Sequence, residues 1–319
     1  MIDKKLANFD SVDNISVTLP LMMQVLQYVN STELETPDLL RIGINLVNLS
    51  KKGTVSTEDY NSVIGSEPVI VIIPYHDVGM KLSSSDSRDY KYTIKYSRDT
   101  FKDYVDLREF ASPVENQANI GSCVGNSVTN AYELIVNQRK PEKFVELSRL
   151  FVYYNSRLLE GAPEEDDGTS LRAALKGTEI YGICTEALWP YDVTKFATKP
   201  SKEAYDNGLT RRIRNYRKLY TIESIVDTLN DSHPAIIGIS IYNSFYQVSD
   251  VNPVVPEPTA ADGYQGEHAV CVVGYDIPKR LLLIKNSFGT EWGDAGYAWL
   301  PFQYCKQYMF EAWVFDINV

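Results

Sequence analysis

The feature that most restricts what this chain can fold into is a change of texture partway along it. From Cys123 onward, Val124, Val128, Ala131, Leu134 and Ile135 recur at helical spacing and give one apolar face through about residue 138. Further helices are predicted over 148–159 and over 170–181, the second ended by Gly182. Beyond Arg217 the pattern turns to strands, over 235–242, 269–275, 281–285, 296–300 and 312–315. Helices first and strands later is an α+β signature. It predicts a helical lobe packed against a mostly antiparallel β lobe.

The chain has 319 residues, enough for two units. The boundary is placed between residues 98 and 105, giving an N-terminal unit 1–104 and a second unit 105–319. In the first, Leu19, Met22, Met23, Leu26 and Val29 fit one helix, and Leu39, Leu40, Ile42, Val47 and Leu49 fit another. Val69-Ile70-Val71-Ile72-Ile73 reads as a short buried strand and Ser83-Ser84-Ser85-Asp86-Ser87 as an exposed loop. Tyr90, Tyr92, Ile94 and Tyr96 alternate with Lys91, Thr93 and Lys95, which predicts a half-buried strand. This is a small α/β unit.

The net charge of −11 is spread over both units and argues against sequence-independent binding to nucleic acid or anionic membrane. The first ten residues show no apolar core and no small-residue cleavage site, so no secretory signal is expected. The longest apolar stretches fall far short of the roughly 20 residues that span a bilayer. The four cysteines, Cys123, Cys184, Cys271 and Cys305, form no C-x-x-C pair, so free thiols and no metal or other cofactor are expected. Cys184, Cys271 and Cys305 read as small core hydrophobes. Of the three histidines, His76 and His233 read as structural.

Cys123 is different. It follows Gly121-Ser122 and opens a predicted helix, where unsatisfied N–H groups and the positive end of the dipole favour thiolate. Gln117, six residues upstream, could donate its amide to a developing oxyanion at the same spot. His268 lies where a polar turn feeds the apolar run Ala269-Val270-Cys271-Val272-Val273, placing an imidazole at a strand start. Asn286 ends the run Leu283-Ile284-Lys285, and neighbouring strands could set its amide beside that ring.

With these residues the chain resembles the papain-like cysteine proteases from Asp106 to its C-terminus. The anchors are Pro113-Val114-Glu115-Asn116-Gln117 through Gly121-Ser122-Cys123, then Glu267-His268-Ala269-Val270, then Lys285-Asn286-Ser287-Phe288-Gly289 through Trp292-Gly293. Leu147-Ser148-Arg149, Asp167-Gly168-Thr169-Ser170 and Trp189-Pro190-Tyr191 are closer to bacterial and large-virus branches than to lysosomal cathepsins. The resemblance implies that Cys123 is the nucleophile, His268 the general acid/base, Asn286 its orienter, and Gln117 part of the oxyanion hole. Phe288 stands where the family usually has a Trp that shields the Asn–His bond, and Trp292 matches a second aromatic of that loop. Gly168 and Thr169 take the place of a Gly-Gly pair that binds substrate backbone. Gly238, Gly266 and Ala269 fall at the main specificity pocket, which their small size makes roomy and apolar.

Two further departures stand out: Val124 replaces the Trp that usually follows the nucleophile, and Ile120 stands where many relatives have a disulfide cysteine. Family members are usually made as zymogens whose pro-region runs backward through the cleft. Residues 1–104 have the position and size for that role, as an intramolecular inhibitor, with cleavage expected between Tyr96 and Val105. The expected partners are protein or peptide substrates and this segment, in a cytoplasmic or virion-associated setting. Two rivals are an inactive papain-like scaffold and another Cys-His acyltransferase such as a transglutaminase; the latter usually orients its His with Asp, so Asn286 favours a protease. An endopeptidase is favoured over an exopeptidase because no His-rich segment offers to cap a substrate terminus.

Overall fold

The computed structural model describes residues 78–317 apart from 85, 88, 260 and 261. The helices expected within 19–49, the strand expected at 69–73 and His76 lie outside the described residues. Everything described belongs to one compact unit, His76–Val319.

Two short strands come first, β1 (Met80–Lys81) and β2 (Tyr104–Asp106). The helical lobe follows: α1 (Cys123–Arg139), α2 (Arg149–Leu159), β3 (Thr169–Ser170) and α3 (Leu171–Tyr181). Helix starts are set by side-chain caps: Ser148 and Ser170 accept the N–H groups of Phe151 and Ala173, satisfying donors that a first turn leaves orphaned. Gly182 ends α3 at φ 72°, a conformation that other residues enter only with strain. Helix α1 is buried at every position from Cys123 to Ile135, because it runs between its own lobe and the sheet.

After α4 (Lys202–Gly208) comes the β lobe: β4 (Ile213–Leu219), α5 (Ile222–Asn230), β5 (Ala235–Tyr242), β6 (Tyr264–Asp276), β7 (Leu281–Lys285), β8 (Tyr297–Pro301), α6 (Phe302–Tyr308) and β9 (Met309–Ile317). The strand order is β4-β9-β5-β6-β7-β8 with β2 added on β6, and all the pairings are antiparallel. The architecture is the two-lobed α+β fold expected from the sequence. The register sets Gly238 opposite Ala269, Ile239 opposite His268, and Cys271 opposite Lys285.

The alternating tyrosines of 90–96 do not form the strand that their pattern predicts. They lie extended along β4, joined by a single bridge between Lys91 and Lys218. Cys184, Cys271 and Cys305 are buried free thiols, as expected of core residues. His233 is buried too, its Nε2 donating to the Phe315 carbonyl at 2.8 Å.

Where the lobes meet, Lys285 is fully buried, and its ammonium reaches the carbonyls of Ser112 (2.8 Å) and Pro113 (3.0 Å), Ser112 Oγ (3.0 Å) and Asn130 Oδ1 (2.9 Å). Glu133 lies in the same interior and accepts the Leu147 N–H at 2.7 Å. Among the described residues, no helix is long and apolar enough to cross a membrane.

Candidate active site

Cys123 opens α1 on the floor of the cleft and is completely buried. Burial pushes its thiol up to about 11, while backbone N–H groups, first those of Ala269 and Gly79, pull the other way. The Ala269 contact puts the sulfur beside β6, one residue after His268. His268 is also fully buried, and its Nε2 donates to Asn286 Oδ1 at 2.7 Å. With its proton on Nε2, the neutral ring has Nδ1 as its basic nitrogen. Asn286 Oδ1 accepts a second bond from the Ser287 N–H at 2.8 Å, and Asn286 N–H donates to the Gly296 carbonyl at 3.0 Å. These bonds fix which end of the amide faces the imidazole.

Gln117 is buried and tied to the same loop. Its N–H donates to the Ser287 carbonyl at 2.8 Å, and its Oε1 accepts Ser287 Oγ at 2.6 Å. Its Nε2 donates to the Ile120 carbonyl at 3.1 Å, which turns the donor end toward the loop before Cys123. Ser287, to which the sequence reading gave no part, thus joins the imidazole's orienter to the amide expected at the oxyanion hole. Tyr191 adds a tether: its hydroxyl donates to the Gln117 carbonyl at 2.9 Å and pairs with Ser122 Oγ.

Phe288 and Trp292 form an aromatic cover over the imidazole. The Phe288 ring lies 4.8 Å from that of His268, and Trp292 packs on Phe245 and donates Nε1 to its carbonyl at 2.9 Å. Two members of this cover were missed in the sequence: Phe245, whose ring is 5.8 Å from His268, and Tyr246, stacked on Phe288 at 5.6 Å. Both sit in a one-turn 3-10 segment, Asn243–Gln247, which carries no periodic signal.

The cleft is filled by the chain itself. β1 pairs in parallel with β3, Met80 against Thr169, and the Thr169 N–H donates to the Gly79 carbonyl at 2.7 Å. Gly168 (φ +70°) has no room for a side chain, because a Cβ there would overlap the Gly79 carbonyl. Met80 enters the pocket expected around Gly238: a Cβ on Gly238 would lie 2.7 Å from Met80 Sδ and 2.7 Å from Phe310 Cζ. Gly266, by contrast, faces Val78, whose Cγ2 is 2.7 Å from where its Cβ would be. The Ala269 N–H is among the groups that pull the Cys123 thiol down.

Behind Gly168, a relay of hydrogen bonds ties the loop that carries Gly168 to the loop that carries Gly121. The Gly168 N–H donates to the Tyr153 hydroxyl at 3.2 Å, Tyr153 donates to Asp166 Oδ1, and the same oxygen accepts the Gly121 N–H at 3.1 Å. Among the described residues, no group of His, Cys, Asp or Glu could hold a metal ion.

Comparison with known proteins finds a family and related structures. Residues 101–311 match the family described as papain family cysteine protease. An uncharacterized peptidase C1-like protein of Acanthamoeba polyphaga mimivirus is 30% identical over 245 residues, which is 72% of this chain and 78% of the relative. Papain of Carica papaya is 27% identical over 203 residues, 61% of this chain and 53% of papain. Among solved structures, xylellain, a cysteine protease from Xylella fastidiosa, superposes with a TM-score of 0.68 at 31% identity, covering 76% of this chain and 96% of that one. Digestive procathepsin L 3 of Tenebrio molitor shares the fold, with a TM-score of 0.61 at 17% identity over 94% of this chain and 99% of that one.

Proposed function

The chain belongs to the papain family of cysteine proteases, and on that premise we propose that it is a cysteine endopeptidase made in a latent form, its own N-terminal segment lying in the cleft. The observation that carries the catalytic reading is the tie from His268 Nε2 to Asn286 Oδ1, with the buried Cys123 opening a helix that packs on β6, the strand of His268.

In this reading His268 Nδ1 takes the thiol proton, and the Cys123 thiolate attacks the carbonyl carbon of the scissile peptide bond. Gln117 and the Cys123 backbone N–H stabilise the oxyanion. The imidazolium then gives its proton to the leaving amine, and a thioester remains on Cys123. Water, deprotonated by neutral His268, adds to the thioester carbon and releases the acid and the thiol. Asn286 holds the ring through both proton transfers, and Phe288, Trp292, Phe245 and Tyr246 keep water from the His268–Asn286 bond.

Latency is supported by Val78, Gly79 and Met80 lying against Gly266, the thiol and Gly238. With its Gly79 and Met80 contacts made, the segment leaves no exposed sulfur for a substrate to reach. Residues 1–104 are accordingly assigned as the N-terminal inhibitory part and 105–319 as the catalytic domain. Substrates are proteins or peptides with an unbranched apolar side chain for the Met80 position, bound through the Thr169 N–H. Cys123→Ala should abolish peptide hydrolysis in chain freed of its N-terminal segment, with the thermal transition within a few degrees of the parent's. Turnover close to that of the parent would sink the assignment.

A further inference from the structure

Between the cleft and Val105 the chain is held in two different ways. Residues 90–106 are bonded to the β lobe along their length. The Lys218 N–H donates to the Tyr90 carbonyl at 2.8 Å, and the Tyr92 N–H donates to the Lys218 carbonyl at 3.0 Å. Asp227 of α5, with 0% of its surface exposed, accepts the Tyr92 hydroxyl at 2.7 Å and the N–H groups of Lys95 and Tyr96 at 2.9 Å each. Lys95 also pairs with Asp231, the Lys102 N–H donates to Asn230 Oδ1 at 3.0 Å, and the Ile277 N–H donates to the Asp103 carbonyl at 2.8 Å. These three bonds to Asp227 all come from one short stretch, and together they fasten it to α5.

The chain just before this stretch is held only at points. Leu82 is 64% exposed. Ser83 Oγ donates to Glu311 Oε1 at 3.0 Å, Arg172 holds the Ser84 carbonyl at 2.9 Å and forms an ion pair with Asp89, and Ser84 and Ser87 are exposed.

We propose that the N-terminal segment divides in function at residues 82–89. The chain up to Lys81 is the removable inhibitor, residues 90–104 are a strap that stays on the mature enzyme under the clamp of Asp227, and the activating cut falls in 82–89 and not between Tyr96 and Val105. The cut is hydrolysis of one peptide bond by an endopeptidase, a second active copy of this chain included. Water supplies hydroxyl to the new carboxyl terminus and a proton to the new amine. The proposal rests on the latent-protease reading above and moves its boundary.

The test is limited digestion of the full chain carrying Cys123→Ala, with thermolysin and intact-mass readout. Thermolysin cuts before large apolar residues, and it has targets on both sides: Leu82 before the strap, Ile94 and Phe101 in it, and Val105 just after it. The expected resistant fragment begins between Leu82 and Tyr90. A fragment beginning at Ile94 or later, or one still carrying Val78, overturns the proposal. Asp227→Asn in the same background should speed cutting at Ile94 and Phe101 at least tenfold, and an unchanged rate overturns the clamp. In chain with Cys123 intact, the same digestion should raise alkylation of Cys123. Equal alkylation before and after overturns the latent reading alone, because the position of the cut still decides the strap.

Discussion

Gly79 illustrates how a single residue sets the resting state. Its backbone passes so close to Gly121 that a Cβ would overlap the Gly121 Cα and carbonyl, with no flexible side chain there to move aside. Gly79→Ala should therefore lift the segment from the thiol and raise the alkylation rate of Cys123 in the full chain at least tenfold; an unchanged rate would show that the segment does not guard the sulfur. Asp166 acts on the other wall. It stands between the loop carrying Cys123 and the loop carrying Gly168, and Ile120 is beside its Gly121 contact, where many relatives have a disulfide cysteine. Asp166→Ala removes the acceptor shared by Gly121 and Tyr153, which at about 1–3 kcal/mol for an orphaned buried donor should lower kcat/KM on a peptide roughly tenfold or more. Asp166→Asn, which keeps one acceptor oxygen, should recover part of that loss. Kinetics within twofold of the parent in the Ala variant, per titrated active site, would reduce the relay to ordinary packing. Cys123 and Asn286 were legible because each stands at the end of an element whose periodicity marks it, and all three roles came from the motifs shared with the family; His268 lies inside β6, which starts at Tyr264 and not at the expected place beside the imidazole. Asp166, Phe245 and Tyr246 were not, because they sit in irregular stretches whose meaning comes only from what folds against them.

At the scale of elements, strands β5 and β7 have the bounds expected from their apolar runs, 235–242 and 281–285. β4 was missed because Arg214, Asn215, Arg217 and Lys218 interrupt its apolar pattern. The nine-residue α5 was missed although Thr221 and Ser224 form a reciprocal cap, since neither is a Glu or Gln at the third position. The tyrosine alternation at 90–96 misled for a different reason. A single bridge to Lys218 and one buried carboxylate, not a ladder with a partner strand, hold that stretch. Helix α1 and strand β7 are joined through the interior that holds Glu133 and Lys285. Burial pushes the Glu133 carboxyl up from 4.5 to about 7 and the Lys285 ammonium down to about 8. A carboxyl raised in the folded state keeps its proton there after the unfolded chain has lost it, so it contributes stability that is present below about pH 4.5 and is lost as pH rises to about 7. Relative to Glu133→Gln, the parent should lose on the order of 3 kcal/mol between pH 4.5 and 7. Urea unfolding of both proteins at the two pH values reads this directly, and a gap that does not change with pH would mean an ionised Glu133 throughout.

For the whole molecule, the occupied cleft and the raised thiol describe one state. A completely buried Cys123 titrating near 11 is a neutral thiol at pH 7, and its proton comes off easily only once water replaces the segment above it. Alkylation of the intact chain should rise only as pH approaches 11, whereas chain freed of the segment should react with an inflection several units lower; superimposable profiles would contradict this. The two-lobed division of labour was legible from the order of helices and strands. The identity of the segment in the cleft was not, because Val78-Gly79-Met80-Lys81 shows no local pattern and gains its place only from the pocket it fills.

The other three thiols lend the molecule a practical property. Cys184, Cys271 and Cys305 are buried in the core and each is pushed up to about 12, so none of them competes for a polar alkylating reagent while the protein is folded. On the latent-protease reading, chain freed of its segment should present one equivalent of reactive sulfur in the folded state, and unfolded it presents four. The ratio of the two titres therefore counts working active sites in a preparation without any substrate being known.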